Sequence, residues 1–471
     1  MAAGSQHGDS GAMRPPAPPK STAPDAGRRR LVGGLGASAL LMSLPGCGGG
    51  PAPGWSPPLA VASASGQASG LRVVWGGGGS ALAVWETETA GVRRVMAAWL
   101  DSTASTLGFV STALDTPDSG APRLPDAAMD ASGRAWVVWR QAQPAGGDWV
   151  LTRRFEPGVG WLAVEVLGPA AIGADRPPCV AMDPIGRTTA TWLRDSPSAR
   201  PVVARTWSPG GAWTAERRLD TLDTPTRPPV VTIDGRGHGI VAWPQRLTPF
   251  SGPLPPWGSD VDPGAAGSIT VQVETLGVEA ELLRVITLSG GQVLLAWRAN
   301  PLPAFALVAT SLYTPGAGWS VPLQPSGTVT SIPALALAPG PANASAVWWV
   351  EGDGTRERLL FQRLAGAAVP FNPPWSLADA AAGTRLWPHG VMTRAGEVVS
   401  LWESGPSGTA ALWTQTQTAN AAFGPTQRLD EGSTAGVLAS GIARGPGDLV
   451  VAAWLQPTAG GHRLWLRWLV P

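Results

Sequence analysis

Three arginines at one repeated position are the residues of this sequence best suited to hold a charged ligand. Arg123, Arg176 and Arg227 each lie sixteen residues before a tryptophan that recurs along the chain. Guanidinium groups from neighbouring repeats can converge on one carboxylate or phosphate and bind it through paired hydrogen bonds. If the repeats are arranged in a ring, as argued below, these arginines are expected to form a positive arc at one mouth of its central channel.

Each of these arginines also has an acidic residue close to it in the sequence, which supports a second interpretation. The acids are Asp126, Asp175 and Asp223. Exposed ion pairs are common and contribute little free energy, so the arginines can equally be satisfied within their own loops. The sequence leaves both interpretations open.

The recurring tryptophan marks a unit of 51 to 54 residues that runs along most of the chain. Its members are Trp85, Trp139, Trp192, Trp243, Trp297, Trp348, Trp402 and Trp454. Such regularity is typical of stacked units, each of which is too small to bury its apolar face alone. Small residues precede many of these tryptophans, so we expect the large ring to fill the space between neighbouring sheets.

One unit, residues 176–220, illustrates the elements that the repeat predicts. Runs of strand-forming residues separated by Gly, Pro, Asp and Ser predict strands at Cys179–Met182, Thr188–Leu193, Val202–Trp207 and Trp213–Leu219. An aspartate follows the first strand in three consecutive units, and we interpret it as a turn residue that accepts backbone N–H bonds. These aspartates are Asp130, Asp183 and Asp234. Eight units of four antiparallel strands predict an all-β, eight-bladed β-propeller.

The two ends of the repeat region indicate how the ring closes. The eighth unit stops at Pro471, just after its third predicted strand. The segment Gly54–Leu59 (GWSPPL) is similar to Gly318–Leu323 (GWSVPL), which opens a fourth strand in the fifth unit. We therefore expect the N-terminal strand to pair into the last blade, which removes exposed sheet edges.

The residues before the ring predict export and lipid attachment. Residues 1–27 are polar and rich in proline, and residues 31–44 form an apolar run that is too short to span a bilayer. The sequence Leu44-Pro45-Gly46-Cys47 resembles the lipobox of bacterial lipoproteins. Arg28-Arg29-Arg30-Leu31-Val32, where the run begins, resembles a Tat export signal.

These resemblances imply three parts of the chain. Residues 1–47 would be a disordered start followed by a signal peptide, residues 48–53 a flexible tether, and residues 54–471 a single propeller domain. Cys47 would carry the lipid, and the membrane would be a partner through it. The expected location is the outer membrane or the surface of a bacterium.

The fourth unit departs from the pattern. Between Trp243 and a predicted strand near Ser268–Thr275 lie about twenty residues without periodicity. Long loops in compact folds are usually functional or irregular, and this one would join the second and third strands. The residues expected to overhang the face that carries the blade connections are Phe250, Trp257, Asp260 and Asp262.

Several classes of function find no support in the sequence. The formal net charge of +1 and the 14% of charged residues argue against nucleic-acid binding. His238, His389 and His462 fall at unmatched positions without metal-ligand spacing, and no cofactor is predicted. Cys179, in a predicted first strand, is interpreted as a buried thiol that acts as a small hydrophobe.

Two families share features with this chain. An arginine cluster on a propeller is similar to that of sialidases, which implies an exo-acting glycosidase that grips a substrate carboxylate. The turns, such as Asp183-Pro184-Ile185-Gly186, lack the sialidase Ser-x-Asp-x-Gly-x-Thr-Trp box, and the single tyrosine, Tyr313, occupies a repeating aromatic position typical of the core. The turns that begin at Ala128 and Ala181 (AMDASG and AMDPIG) resemble those of the eight-bladed quinoprotein class.

The sequence therefore favours a lipid-anchored β-propeller that binds a glycan, a peptide or a partner protein. The candidate ligand-binding residues are Arg123, Arg176, Arg227, Trp257, Asp260 and Asp262. A sialidase-type glycosidase that uses the arginine cluster at the channel mouth is the alternative.

Overall fold

The computed structural model describes residues 54–470, with gaps at 78, 102–110, 117–119, 144–145, 172–175, 196–199, 221, 223, 225, 249–250, 266–267, 276, 303, 366–368, 371–372, 407–408 and 431–434. The predicted leader, Cys47 and the tether lie outside the described residues. Pro51–Pro471 forms one compact unit.

The described residues form eight antiparallel sheets, called blades 1 to 8 in chain order. Blade 1 contains Gln67–Trp75, Ser80–Thr89, Val92–Asp101 and Ser111–Ala113. Blade 2 contains Pro122–Met129, Ala135–Ala142, Asp148–Glu156 and Gly160–Ala170. Blade 3 contains Cys179–Met182, Thr188–Leu193, Val202–Trp207 and Arg217–Arg218. Blade 4 contains Val230–Ile233, Gly239–Pro244, Pro256–Val261 and Ile269–Gln272.

The second half of the ring repeats this arrangement. Blade 5 contains Glu279–Thr287, Val293–Leu302, Phe305–Thr314 and Gly318–Trp319. Blade 6 contains Leu335–Pro339, Ser345–Gly352, Arg356–Ala365, Val369–Pro370 and Trp375–Ala381. Blade 7 contains Arg385–Met392, Val398–Gly405, Ala411–Gln417 and Gln427–Arg428. Blade 8 contains Ala439–Arg444, Val450–Thr458 and Gly461–Val470, joined by Gly54–Trp55 and Leu59–Ser65.

The first strands of neighbouring blades contact one another all the way around, and the first strand of blade 8 contacts that of blade 1. These strands therefore surround a central channel, and the eight-bladed β-propeller is confirmed. The turns between first and second strands lie on one face, here called the hairpin face. The connections between blades lie on the opposite face, here called the connection face.

The helical content of the described part of the chain consists of two 3-10 turns, Pro341–Asn343 and Pro446–Asp448. Neither turn has the length or the apolar character that crossing a bilayer would need. Both lie between the first and second strands of their blades, where the other blades have ordinary turns.

The N-terminal segment pairs into the last blade, as the sequence predicts. Trp55 pairs with Leu469, and the strand Leu59–Ser65 runs antiparallel to the same third strand of blade 8. Val61 is buried in a cluster with Leu464 and Leu466. Because the closing strands come from the opposite end of the chain, long-range pairing holds the ring shut.

The repeated tryptophans are core residues, but blade 6 differs from the prediction. All eight predicted tryptophans are at most 2% exposed, and seven of them pack toward the preceding blade. In blade 6 that position belongs to Trp349, which packs with Leu294 and Val308 of blade 5. Trp348 instead packs toward blade 7. Two adjacent tryptophans on opposite sides of one strand made the sequence assignment ambiguous.

Two predicted strand boundaries are wrong. The fourth strand of blade 3 is only Arg217–Arg218, although the first three strands of that blade match the prediction. In blade 4 the supposed loop contains the third strand, Pro256–Val261, and the segment near Ser268–Thr275 supplies the fourth strand. The third strand is rich in Pro, Gly, Ser and Asp, which have low strand propensity, so tertiary pairing overrides the local signal.

The closing strand can be tested with a matched pair of substitutions. Val61 is 7% exposed in the closing strand, and Val92 is 58% exposed in blade 1. Val61→Asp buries a carboxylate with no partner, so the free energy of unfolding in urea should fall by ~3 kcal/mol or more. Val92→Asp should change it by less than ~0.5 kcal/mol. Equal effects of the two substitutions would show that the closing strand is not packed as described.

Candidate functional site

The first strands of the eight blades place one residue each at the same height along the channel. These eight residues differ in type, so the sequence pattern did not reveal that they lie together. In every blade, the residue thirteen positions before the core tryptophan pairs with the residue just before that tryptophan. With Trp349 as the core tryptophan of blade 6, this level is here called the waist ring. It consists of Arg72, Asp126, Cys179, Val230, Arg284, Ala336, His389 and Gly441.

The waist ring is linked from blade to blade along one side. Arg72 Nε lies 3.6 Å from Asp126 Oδ1, and Asp126 Oδ2 accepts a hydrogen bond of 3.0 Å from the backbone N–H of Val180. The thiol of Cys179 donates to the Pro229 carbonyl at 3.2 Å. These contacts join blades 1, 2, 3 and 4 at the channel.

The other side of the waist ring carries two polar groups with unused hydrogen-bonding capacity. Arg284 Nη1 donates to the Leu283 carbonyl at 2.9 Å, and Arg284 forms no ion pair with any acid that the structure describes. His389 Nε2 is buried and has no hydrogen-bond partner among the described atoms. The charges of Arg72 and Arg284 both act on His389. Groups from blades 1, 5 and 7 therefore face one another across the channel.

Burial shifts the ionisation of the waist ring strongly. It lowers the pKa of His389 to about 3, and the nearby positive charges of Arg72, Arg284 and Arg385 add to the effect. Burial also lowers the pKa of Arg284 to about 10. All these side chains keep some accessible surface, as expected for groups that line a narrow channel.

The acid and the thiol of the ring are shifted in the opposite direction. Burial raises the pKa of Asp126, and the charge of Arg72 opposes that shift. Burial and the charge of Asp126 raise the pKa of Cys179 to about 12, so its thiol stays protonated and unreactive at neutral pH. Because two guanidinium groups face one carboxyl, the ring is net positive in either protonation state of Asp126.

A cavity of about 790 Å³, here called the funnel, lies at the hairpin face at the ends of the first strands. It is lined by residues 182–184, 187, 232–235, 285–291 and 339, which belong to blades 3 to 6. Val285 of its wall directly follows Arg284 of the waist ring, so the funnel and the ring are neighbours along this strand. The apolar part of its wall consists of Met182, Ile233, Val285, Ile286, Leu288 and Pro339.

A close approach of two turns builds part of the funnel wall from backbone. Gly235 donates its N–H to the Gly291 carbonyl at 3.0 Å. A Cβ atom on Gly235 would lie 2.7 Å from the Gly291 Cα, and Gly291 has a φ of +81°. Only glycine fits this contact, because no side chain can be placed between the turns of blades 4 and 5.

The repeated turn aspartates bind backbone, which confirms their interpretation as turn residues. Asp183 Oδ1 accepts the N–H groups of Ile185 and Arg187 at 3.1 and 2.8 Å. Asp183 Oδ2 also accepts a bond of 2.6 Å from Arg187 Nε, and Arg187 Nη1 reaches the Arg236 carbonyl of the next blade at 2.6 Å. The Asp-to-Arg spacing of four residues recurs at Asp130 and was visible in the sequence, but its role between blades was not.

The three predicted arginines have different surroundings and share no described partner. Arg227 forms ion pairs with Glu279 and Glu281 of blade 5. Arg176 has a buried Nη1 without a described hydrogen-bond partner, and burial and Arg200 lower its pKa. Glu279 and Glu281 are not among the acids suggested by the sequence, because they come from a different blade.

The remaining arginine and acids of that hypothesis are placed as follows. Arg123 acts electrostatically on Glu86. Burial raises the pKa of Glu86 overall, and the charges of Arg93 and Arg123 oppose that shift. Asp126 pairs with Arg72 rather than with Arg123. Asp175 and Asp223 lie outside the described residues. A ligand-binding role for Arg123, Arg176 and Arg227 stays a prediction.

The predicted overhang of blade 4 is corrected by the structure. Trp257 lies in the third strand opposite Trp243 and donates its ring N–H to the Gln245 carbonyl at 3.2 Å. Asp260 is near the other end of this strand, at the hairpin face, and Asp262 follows the strand there. The predicted residues are therefore spread between the two faces, because a strand replaces the expected loop. Phe250 lies outside the described residues.

Asp260 is the centre of a polar cluster that the sequence did not reveal. It accepts hydrogen bonds from Tyr313 Oη at 2.7 Å and from Arg236 Nη2 at 2.6 Å. His238 Nδ1 lies 2.9 Å from its other oxygen. Burial raises the pKa of Asp260, but the bonds from Tyr313, Arg236 and His238 outweigh it and lower the pKa overall.

The position of Tyr313 separates it from the predicted arginine cluster. Tyr313 lies near the end of the third strand of blade 5, at the hairpin face, whereas Arg227 precedes the first strand of blade 4 at the connection face. Burial and the bond to Asp260 raise the pKa of Tyr313 to about 12, which disfavours the phenolate that a nucleophile needs. Tyr313 and the predicted arginine cluster therefore lie toward opposite faces of the ring.

A second cavity, of about 650 Å³, lies at the connection face between blades 4 and 5. Gly252 and Pro253, from the connection before the third strand of blade 4, line it together with Glu279. Leu302 and Phe305 contribute exposed apolar surface, at 62% and 46% exposure. This part of the irregular segment does lie at the face where the sequence placed it.

Comparison with known proteins shows only distant likeness. No protein-family model matches the chain, and no curated protein matches it. Among solved structures, a protein of unknown function from Dyadobacter fermentans DSM 18053 is 9% identical, with 88% of this chain and 99% of that chain covered and a TM-score of 0.44.

Two further structures carry the names of glycan-active enzymes. The intramolecular trans-sialidase from Ruminococcus gnavus is 10% identical, with 74% of this chain and 91% of that chain covered and a TM-score of 0.38. A PL25 ulvan lyase is 10% identical, with 74% and 93% covered and a TM-score of 0.45. At these identities and TM-scores, no activity is carried over to this chain.

The waist ring makes stability depend on pH through His389. Its folded-state pKa of about 3 lies below the ordinary value of 6.5, so the unfolded chain binds one more proton between these values. The free energy of unfolding should therefore fall by about 1.4 kcal/mol for each pH unit below 6.5. His389→Gln should remove this contribution to the pH dependence of the free energy of unfolding, measured by urea unfolding at pH 7.5, 6.5 and 5.5.

A control for this experiment is His238→Gln, which alters a histidine beside Asp260 and leaves the waist ring intact. The contribution of His389 to the slope should persist in that variant. An unchanged slope in His389→Gln would contradict the placement of a neutral, buried imidazole in the channel.

Proposed function

We propose that this chain is an exported, lipid-anchored propeller that binds a peptide segment of a partner in the funnel. The observation that carries the proposal is the funnel itself, an apolar cavity of about 790 Å³ at the mouth of the channel. Ligand pockets typically have volumes of about 300–1,000 Å³ and apolar walls with a few polar groups. The funnel has both properties.

The chemistry of the funnel favours an apolar group of the ligand over a sugar. The lining carboxylates Asp183 and Asp234 are committed to their own turns through backbone N–H groups and arginines. The hydroxyls of Thr232, Thr287 and Ser289 also have partners. Apolar side chains and turn backbone are therefore the main groups left for a ligand. An apolar side chain of a peptide can be buried against this wall, and the turn backbone can hydrogen-bond its main chain.

The same commitments argue for binding rather than catalysis at this site. A general acid or base needs a carboxyl that is free to exchange a proton with the substrate. Each of these two carboxylates instead accepts at least two backbone hydrogen bonds and one ion pair from arginine. The proposal therefore assigns the funnel a binding role.

The lipid anchor in the proposal rests on Leu44-Pro45-Gly46-Cys47 and the arginine-led apolar run before it. A propeller held by a short tether at a membrane would present its faces to other exported proteins. An anchored ring of this kind suits a protein that captures a partner close to the membrane surface.

The anchor is tested by metabolic labelling with a fatty-acid analogue. The full chain should take up the label and sediment with the membrane fraction. Cys47→Ser should abolish the label and release the protein, because it removes the thiol that would carry the lipid. Cys179→Ser is the matched control and should leave both the label and the membrane association unchanged. A label that persists in Cys47→Ser would contradict the anchor.

Binding in the funnel can be tested with neighbouring residues of one turn. Pro184 and Ile185 are both exposed in the turn of blade 3, but only Pro184 lines the funnel. The full chain, purified in a non-ionic detergent, is applied to peptide and glycan arrays. Pro184→Trp narrows the funnel and should weaken saturable peptide binding about tenfold or more, whereas Ile185→Trp should leave it unchanged.

Two other outcomes would overturn the proposal. Loss of binding in Phe305→Ala, with binding retained in Pro184→Trp, would move the site to the cavity at the connection face. Turnover of a fluorogenic sialoside that is lost in Arg176→Ala would favour the glycosidase instead.

A further inference from the structure

The waist ring contains a cation that the described protein does not neutralise. Arg284 lies in the channel, its pKa is lowered by burial, and its described hydrogen bond goes to the carbonyl of Leu283. A partly buried charge that no acid neutralises costs stability. Such a charge is expected where a ligand supplies the counter-charge.

The other donors of the ring face the same space. The side chain of Arg72 is more than half exposed, and the contact of 3.6 Å to Asp126 involves only its Nε among the guanidinium nitrogens. His389 Nε2 is buried without a described partner. Arg72 and Arg284 act electrostatically on each other and on His389, so the three groups surround one region of the channel.

Small residues flank His389 in the ring. Ala336 lies between Arg284 and His389 around the ring, and Gly441 lies between His389 and Arg72. Neither residue carries a side chain that could fill the channel beside the imidazole. The two positions that flank His389 in the ring therefore carry no long side chain.

We propose that the waist ring is a binding site for a small oxyanion, held by Arg72 and Arg284 and completed by His389. Guanidinium groups bind both carboxylates and tetrahedral oxyanions through paired, charge-assisted hydrogen bonds. The net positive ring attracts an anion and repels a metal cation.

Protonation of His389 is linked to the anion. The charged groups that face this imidazole are Arg72 and Arg284 across the channel and Arg385 on its own strand. Arg385 is paired with Glu403 at 2.8 Å. A bound anion offsets the positive charges and lets His389 accept a proton and donate to the anion. Binding therefore tightens as the pH falls.

The site is tested on the full chain in detergent at low ionic strength, with sulfate and formate as probes. Sulfate does not titrate between pH 7.5 and 5, so it reports on the protein alone. Each anion that binds should raise the unfolding temperature in a saturable way. Stabilisation by sulfate alone or by formate alone identifies a tetrahedral or a planar oxyanion as the preferred ligand.

Two substitutions distinguish anion binding at the waist ring from a general effect of salt on stability. Arg284→Met should weaken anion binding about tenfold or more. Arg93→Met, a change in a partly exposed ion pair on the third strand of blade 1, should leave it unchanged. Without anion, Arg284→Met should be at least as stable as the parent, because it removes a partly buried charge that no described acid neutralises. That result also shows that the variant folds.

His389→Gln completes the test. This variant should bind sulfate at pH 7.5 like the parent and should lose the tightening at pH 5. The proposal is overturned if neither anion stabilises the parent saturably, or if Arg284→Met binds both anions as well as the parent does. Failure of funnel binding on the arrays would leave these results unaffected, since the two sites are probed by different ligands.

Discussion

The packing of one tryptophan per blade against the preceding blade is the constraint on which the rest of the structure depends. Each of these rings fills the gap between two sheets and fixes how far the sheets are apart. The strand pairing then places the residue thirteen positions earlier at the same height in every blade. Uniform spacing at the core therefore produces a level ring of side chains in the channel.

The same regularity explains which parts could be predicted from the sequence. Core positions repeat their residue type because every blade needs the same volume there, so Trp85 and its equivalents were visible. The waist ring does not repeat its residue types, since Arg72, Cys179 and His389 occupy equivalent places. Periodicity can find a position only where the chemistry is also periodic, and function in a propeller arises where the repeat is broken.

Blade 4 shows the limit of local signals in a different way. Its third strand pairs Pro256 with Pro244 and includes Gly258, which are poor strand formers. Pairing on both sides, with Gly239–Pro244 and Ile269–Gln272, holds this strand in place. The sequence could therefore predict that the segment was unusual, but only long-range contacts could decide that it was a strand.

Arginines at the hairpin face are paired with acids, whereas Arg284 in the waist ring has no described acid as a partner. The difference is informative because other blades carry uncharged residues at the level of the ring. At the hairpin face, aspartate turns and arginines such as Arg134 and Arg187 satisfy one another and bridge neighbouring blades. In the waist ring Arg284 is partly buried without a described acid beside it, although Val230 and Ala336 show that other blades carry an uncharged side chain at the same level. Natural proteins depart from complete satisfaction of buried charge mainly at functional sites, where stability is exchanged for binding. An arginine at a level where other blades carry alanine and valine is therefore what the proposed anion site requires.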